Sequence, residues 1–234
     1  MSNELSHGAV TFLDILGWKG IWQKRSDSID TLMKIIESAK RSINDIKDEH
    51  KTLNGAYSYM NRLESEIVSI SDTIVLVTIG NIEAPLEFHS NMCSKIIAGA
   101  LEDGMFIRGA INCGKFARRE NIFVGPAIDE VAAWHELADW IGVIQTPSAY
   151  FNSINPCGNE FKMVEYDVPL KTKGKILTRC IDWTLEWNQK GKNELDLKDA
   201  FVRMGPILPE IYPKFRHTLE FYQKCIERRE LSDI

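Results

Sequence analysis

Residues 66–79 read EIVSISDTIVLVTI, two runs of apolar and β-branched residues joined only by Ser71 and Asp72. Such runs are typical of strands, and so short a junction predicts a tight antiparallel hairpin, although Ser-Asp is not the favoured turn pair. Residues 9–16, AVTFLDIL, form a similar run with Asp14 inside it. The sequence therefore predicts three strands, with one aspartate inside the first and another at the tip of the hairpin.

Helical patterns surround these strands. Apolar residues recur at three- and four-residue spacing over residues 29–46, which predicts an amphipathic helix, and a second helix is predicted over residues 85–104. Residues 47–61 are polar and are predicted to form a loop, whereas residues 105–112 are typical of a further strand. The order is βαββαβ, so we predict an α+β fold with a ferredoxin-like core.

Shorter elements are predicted after this core. We expect strands at 121–124 and 142–145, a helix at 128–140, and a second hairpin from 161–170 and 175–183. A helical pattern over residues 197–229 is interrupted by prolines. No linker or repeat divides the chain, so we interpret residues 1–185 as the core and residues 186–234 as a helical extension packed on the same domain.

Composition limits the classes of partner. The 234 residues include 28 Lys and Arg against 33 Asp and Glu, and this net charge of -5 disfavours broad binding to nucleic acid or anionic membrane. The first residues lack the pattern of a signal peptide, and the apolar runs are too short to span a bilayer. The five cysteines are scattered and suggest no zinc site or disulfide framework, so we expect free thiols and a cytoplasmic location.

Asp14 and Asp72 are the basis of the chemical prediction. An ionised carboxylate inside an apolar strand is costly unless it is paired or bound to a cation. Aspartate is common in turns, so Asp72 by itself is not informative. In a βαββ arrangement, however, the first strand lies beside the hairpin, and the two carboxylates can converge at one end of the sheet. Converging carboxylates suit Mg²⁺ or Mn²⁺ together with substrate phosphates.

Several motifs resemble class III adenylate and guanylate cyclases, over residues 9–185. FLDILGW at residues 12–18 resembles their opening strand, and SISDTIVLV at residues 69–77 resembles the hairpin that holds their second metal aspartate. FIRGAINCG at residues 106–114 and the segment 123–148 are similar in order and spacing to the rest of their catalytic core. The RGAI, GPAI and WIGV segments further resemble the pyrimidine nucleotide cyclases of bacterial Pycsar antiphage defence.

This resemblance implies a metal-dependent lyase that converts a nucleoside triphosphate to a 3′,5′-cyclic monophosphate and pyrophosphate, with residues 1–185 as its catalytic core. Two Mn²⁺ or Mg²⁺ ions would be held by Asp14, Asp72 and the backbone carbonyl of Ile15. Lys171 matches a phosphate-binding lysine. Arg108, Arg118 or Arg119 could replace a transition-state arginine that is missing here, and a strand-end ion pair is an equally good interpretation of Arg108. The further candidate nucleotide-binding positions are Phe12, Gly17, Tyr57, Val68, Ile122 and Lys173.

Some positions depart from the family pattern. Asp129 and Ala133 stand where the family has an asparagine and an arginine on the helix after the glycine. Val68 and Ile122 stand at the two positions that read adenine in adenylate cyclases, and neither side chain can hydrogen-bond to a base. The resemblance therefore implies a pyrimidine substrate, with UTP favoured, and cyclic UMP as a second messenger in antiphage defence, bound by a separate effector protein.

Other functions stay open. A cytidylate cyclase, a purine cyclase with unusual base contacts, or a degenerate module that binds a nucleotide without turnover would each be compatible with the sequence. The missing asparagine and arginine favour the last, whereas the two metal aspartates favour an enzyme.

The resemblance also implies a homodimer with shared active sites. Lys171 is expected to face a different part of the surface from Asp14 and Asp72, so that a second chain completes each site. The aromatic-rich segment 134–140 is expected to form part of the interface between the chains.

Overall fold

The computed structural model describes residues 5–17, 27–52, 63–81, 83–120, 122–152 and 162–232. Its strands are β1 (Ser6–Ile15), β2 (Glu64–Ile70), β3 (Thr73–Ile79), β4 (Ile107–Arg119), β5 (Ile122–Val124), β6 (Gly142–Gln145), β7 (Met163–Leu170) and β8 (Gly174–Ile181). Its helices are α1 (Ser28–Thr52), α2 (Glu83–Glu102), α3 (Pro126–Trp134), α4 (Pro147–Asn152), α5 (Thr184–Gln189), α6 (Glu194–Arg203) and α7 (Tyr212–Ser232).

A single mixed sheet organises this part of the chain. Its strand order is β2-β3-β1-β4-β6-β8-β7, and β5 pairs with β4. β1 is central, since it pairs antiparallel with β3 on one side and with β4 on the other. The first elements run β1-α1-β2-β3-α2-β4, so the predicted βαββαβ order and the α+β class are confirmed.

Alternation along β1 distinguishes the two faces of the sheet. Thr11 hydrogen-bonds to His89 of α2, so it faces the helices α1 and α2. The neighbouring Phe12 points the other way and meets the ring of His135, which directly follows α3. Because side chains two residues apart in a strand share a face, Asp14 lies on the α3 side of the sheet.

The boundaries of two helices differ from the prediction because of tertiary contacts. α1 continues through residues that were predicted to be loop, and Lys47 on this continuation donates to the carbonyl of Leu63 at 2.9 Å. α3 ends at Trp134 instead of residue 140, because the following segment bonds to the β7–β8 turn. The Asp139 amide donates to the Pro169 carbonyl at 2.9 Å in this contact.

The C-terminal helices pack on the sheet through aromatic side chains. Phe221 of α7 contacts Trp140, Tyr166 and Trp183. Trp140 is completely buried in this cluster, so its expected role in an interface between chains is wrong. Helices α4 and α5 were not predicted, and residue 185 lies inside α5; the division of the chain at that residue stays a prediction.

The thiols that the structure describes are inert. Cys93, Cys113, Cys180 and Cys225 are buried and free, whereas Cys157 lies outside the described residues. Burial raises the pKa of the Cys93 and Cys113 thiols to about 12, so neither is a thiolate at neutral pH. Within the described ranges, none of the helices combines the length and the apolar character needed to cross a bilayer.

His89 gives a pH-dependent test of the contact between α2 and the sheet. Its ring nitrogens bond to the hydroxyls of Thr11 at 2.7 Å and Thr78 at 2.9 Å. Burial lowers its pKa from 6.5 to about 3, so the folded protein resists a proton that the unfolded chain accepts. The resulting stability is complete above pH 6.5 and is lost as the pH falls from 6.5 towards 3.

We therefore expect the free energy of unfolding to fall faster with decreasing pH in wild type than in His89→Gln. The difference in slope should approach about 1.4 kcal/mol per pH unit within this window. Urea denaturation at pH 7, 6 and 5 measures it, and the contributions of the carboxylates are common to both proteins. Equal slopes would contradict a neutral, buried His89.

Candidate active site

A buried ion pair lies at the end of β1. Asp14 stands opposite Arg108 in the register of β1 and β4, and each residue is only 6% exposed. Arg108 donates from Nε and from Nη2 to Asp14 Oδ2, at 3.0 and 2.7 Å. The Asp14 carboxylate was predicted to need a counter-charge, and the guanidinium of Arg108 supplies it.

This ion pair leaves atoms of both side chains unused. Both donors converge on Oδ2 of Asp14, and no hydrogen bond reaches Oδ1 from the residues that the structure describes. Nη1 of Arg108 is buried and has no hydrogen-bond acceptor among the same residues. A buried donor without an acceptor is unusual and destabilises the folded protein. An acceptor placed at Nη1 of Arg108 would therefore be stabilising.

Asp72 lies beside this pair at the level of the backbone. The β2–β3 turn consists of Ser71 and Asp72, and Ser71 adopts a φ of 58°. Asp14 pairs with Thr73 in the β1–β3 register, and the Ile15 amide donates to the Asp72 carbonyl at 3.2 Å. The two aspartates thus stand at the same end of neighbouring strands, and the side chain of Asp72 is half-buried.

The donor set suits a hard divalent cation. In the described part of the chain, no three His, Cys, Asp or Glu residues cluster as metal ligands would, so an all-protein cage is not present there. Mg²⁺ usually binds through one or two carboxylates and completes its shell with water and substrate phosphates, and Mn²⁺ prefers the same oxygen ligands. Asp14, whose Oδ1 accepts no hydrogen bond from the described residues, and Asp72 form such a pair, and the backbone of Ile15 is fixed beside them.

Lys171 lies near the ion pair in the same chain. Its backbone amide donates to the Leu137 carbonyl at 3.0 Å, which ties the β7–β8 turn to the segment after α3. Partial burial lowers the pKa of Lys171 and the charge of Arg108 lowers it further, whereas the charges of Glu136 and Asp14 raise it. Lys171 is therefore within electrostatic reach of Asp14 in its own chain, and its expected contribution to the site of a second chain stays a prediction.

Lys173 lies in the turn between β7 and β8, and Gly17 lies in the turn after β1. Lys173 is exposed, with a φ of 61°, and its side chain makes no hydrogen bond or ion pair with the described residues. Gly17 follows β1 with a φ of 78°, a left-handed conformation that favours glycine. A Cβ at Gly17 would lie 3.6 Å from Met204, so the end of β1 approaches the segment between α6 and α7.

Two aromatic residues were predicted to contribute to nucleotide binding. Phe12 is half-buried, and its ring meets that of His135 edge-on with 5.5 Å between ring centroids. This contact holds Phe12 on the face that also presents Asp14. Tyr57 lies outside the described residues.

The two predicted base-reading positions lie on separate strands. Val68 on β2 is half-buried against the core, and Ile122 on β5 is 63% exposed. An ion pair between Arg118 and Glu66, at 2.6 Å, links the β4–β5 hairpin to β2. The elements that present Val68 and Ile122 are therefore joined by a charge contact that the sequence pattern did not indicate.

Glu130 positions α3, and its role was not predicted from the sequence. Its Oε2 accepts from Asn112 at 2.9 Å, and its Oε1 accepts from the Ser148 amide at 2.9 Å. The side chains of Asp129 and Ala133, at the positions of the family's asparagine and arginine, are exposed. No local pattern distinguishes Glu130 from the other acidic residues, because each contact spans 18 residues of chain.

Gly109 allows β1 and β4 to approach closely enough for the ion pair to form. A Cβ at this position would lie 2.1 Å from the Phe12 carbonyl oxygen, so the strands must move apart to accommodate it.

We expect Gly109→Ala to lower the free energy of unfolding by about 2 kcal/mol or more. Gly99→Ala on α2 is the control: no atom lies within 4 Å of its Cβ, and it should stabilise the protein by up to about 1 kcal/mol. Urea denaturation measures both, and wild-type stability of Gly109→Ala would contradict the close approach.

Comparison with solved structures identifies the fold. The catalytic core of a rhodopsin-guanylyl cyclase, in complex with ATPαS, is similar with a TM-score of 0.50 and 18% identity over 76% of this chain and 96% of that one. A bacterial light-regulated adenylyl cyclase has a TM-score of 0.50 and 10% identity over 86% of this chain and 57% of that one. No family model and no curated protein matches the sequence. The chain therefore has the nucleotidyl cyclase fold.

Proposed function

We propose that this protein is a nucleotidyl cyclase, which converts a nucleoside triphosphate to a 3′,5′-cyclic monophosphate and pyrophosphate. The observation that carries the proposal is the placement of Asp14 and Asp72 at one end of neighbouring strands, in a sheet of the cyclase fold. Arg108 and Lys171 add positive charge beside Asp14. Folding alone does not call for a buried carboxylate in a central strand, so a ligand-binding role accounts for it better.

The residues have separate parts in this reaction. Asp14 and Asp72 would hold the two divalent cations, Mn²⁺ or Mg²⁺, which when bound favour ionisation of the 3′-hydroxyl and offset the charge of pyrophosphate. The proton of the 3′-hydroxyl passes to solvent water, and the 3′-oxygen forms a bond to the α-phosphorus. The bond from that phosphorus to the bridging oxygen breaks, and pyrophosphate leaves with the electron pair. Arg108 and Lys171 would stabilise the negative charge of the phosphate oxygens.

A pyrimidine triphosphate is the substrate that we favour, with UTP ahead of CTP. Val68 and Ile122 present only hydrocarbon where a purine would require hydrogen bonds. The resemblance of the RGAI, GPAI and WIGV segments to pyrimidine cyclases of antiphage defence supports cyclic UMP as the product. In that role the enzyme would act in the cytoplasm, and a separate effector protein would bind the cyclic nucleotide.

A competition among the four nucleoside triphosphates tests this function. Purified protein is incubated with Mn²⁺ and equal concentrations of ATP, GTP, CTP and UTP, and the products are separated by liquid chromatography and mass spectrometry. We expect cyclic UMP to be the major product, at least about tenfold above any purine product, because one unmet hydrogen bond in a base pocket costs about a factor of ten or more. Asp72→Asn should give no cyclic product while keeping the wild-type melting temperature.

The other outcomes distinguish the alternatives. A majority of cyclic CMP would identify a cytidylate cyclase, and a majority of cyclic AMP or GMP would contradict the pyrimidine assignment. If no cyclic product forms although a triphosphate raises the melting temperature, the protein is a nucleotide-binding module without turnover. The presence of Asp129 and Ala133 where the family has an asparagine and an arginine favours this second candidate.

We further propose a homodimer in which each site uses residues of both chains. The charges of Arg108 and Asp14 act on Lys171 within one chain, which favours a role of this lysine at the site of its own Asp14. Lys173 lies in the same turn, and both lysines are exposed. We assign Lys173, whose side chain makes no hydrogen bond or ion pair with the described residues, to the site of the second chain.

Mixing of inactive variants separates these two lysines. Asp72→Ala mixed with Lys173→Ala should recover up to about a quarter of wild-type activity, since half of the dimers are mixed and one of their two sites has no lesion. Asp72→Ala mixed with Lys171→Ala should stay inactive, because every site keeps one lesion. Exchange of chains is verified by mass spectrometry. Failure of the first mixture to recover despite exchange, or activity of a monomeric species, would refute the shared site.

A further inference from the structure

We propose that Arg108 is the resident counter-ion of Asp14, and that it competes with a divalent cation for the Asp14 carboxylate. The inference rests on the proposed function, because it concerns the aspartate assigned there to metal binding. It adds a regulatory property. In the metal-free protein, the guanidinium of Arg108 occupies the Asp14 carboxylate, and the free energy needed to displace it lowers the affinity for the metal.

The position of Arg108 gives it this role. The guanidinium lies directly on the carboxylate, with Nη2 at 2.7 Å from Oδ2, and both side chains are buried. A buried carboxylate needs one compensating cation, and a guanidinium or a metal ion can each serve. With Arg108 in place, the charge of Asp14 is already neutralised, so a metal ion gains less from binding there.

The contact is also weaker than an arginine–carboxylate pair can be. The favoured geometry places two nitrogens on two oxygens, as parallel hydrogen bonds. Here Nε and Nη2 share Oδ2, and the third nitrogen, Nη1, is buried without an acceptor in the described part of the chain. Because one buried donor of Arg108 has no acceptor in this contact, separating the ion pair costs less free energy than separating a fully hydrogen-bonded pair. The resting contact is therefore one that a divalent cation can displace.

The charges around Arg108 act in the same direction. Partial burial lowers the pKa of Lys171, and the charge of Arg108 lowers it further, so the two positive charges repel each other. Among the described residues, Asp14 is the only carboxylate that forms an ion pair with Arg108. No second ion pair there fixes the guanidinium in place. When a cation displaces Arg108 from Asp14, the hydrogen-bond donors of the guanidinium become available to the oxygens of a triphosphate. Binding of the metal and of the triphosphate would then favour each other.

Metal binding without nucleotide tests the competition. Mn²⁺ is titrated into wild type, Arg108→Gln, Arg108→Lys and Asp14→Asn, and free Mn²⁺ is followed by its electron paramagnetic resonance signal. The dissociation constant of Arg108→Gln should fall by about tenfold, because a competing charge in contact with the ligand has been removed. Arg108→Lys keeps the charge but loses the two-nitrogen contact, so it should lie between Arg108→Gln and wild type. Arg118→Gln, on the same strand, is the matched control and should bind as wild type does.

Melting temperatures give a second readout. Metal-free Arg108→Gln should melt below wild type, since Asp14 is left buried without a counter-charge, and saturating Mn²⁺ should raise its melting temperature more than that of wild type. An equal or weaker Mn²⁺ affinity in both Arg108 variants, with binding lost in Asp14→Asn, would overturn the competition and leave the metal site intact. Wild-type binding by Asp14→Asn would overturn the metal assignment of the proposed function itself.

Discussion

The candidate site depends on the contact between a buried carboxylate and a buried guanidinium across β1 and β4. Asp14 and Arg108 meet only in the observed register, because a slip of one residue would turn Arg108 to the opposite face and leave Asp14 without a counter-charge. The register also requires glycines at the points of closest approach. A Cβ at Gly109 or at Gly8 would lie about 2 Å from a carbonyl oxygen of the neighbouring strand.

β1 satisfies its polar side chains differently on its two faces. Towards α2, Thr11 belongs to a buried network with His89 and Thr78, in which every member is neutral. Towards α3, the polar side chain is an ionised aspartate whose counter-charge comes from another strand. The neutral network joins α2 to the sheet through buried hydrogen bonds. The charged face presents a carboxylate and a guanidinium, with which a cation or a phosphate can interact.

The C-terminal helices support the site from a distance. Lys214 of α7 pairs with Asp139 at 3.1 Å, and His217 bonds to the carbonyl of the same residue at 2.8 Å. These contacts fix the segment after α3, whose Leu137 in turn holds the backbone of Lys171 at 3.0 Å. The position of Lys171 is therefore set by a chain of contacts that begins on the last helix. An extension outside the region of sequence resemblance thus helps to position a residue inside it.

The sequence by itself determined the local elements and the unusual residues. The β2–β3 hairpin and most of α1 and α2 follow from strand composition and helical spacing, which are properties of neighbouring residues. Asp14 was also identifiable, because its apolar neighbours make a carboxylate costly wherever the strand is buried. The tertiary structure alone decided what compensates that charge and where Lys171 lies. Asp14 and Arg108 are 94 residues apart in the chain, and the end of α3 depends on contacts with the β7–β8 turn. Such contacts form only when distant segments are packed together, and no local pattern of the sequence encodes them.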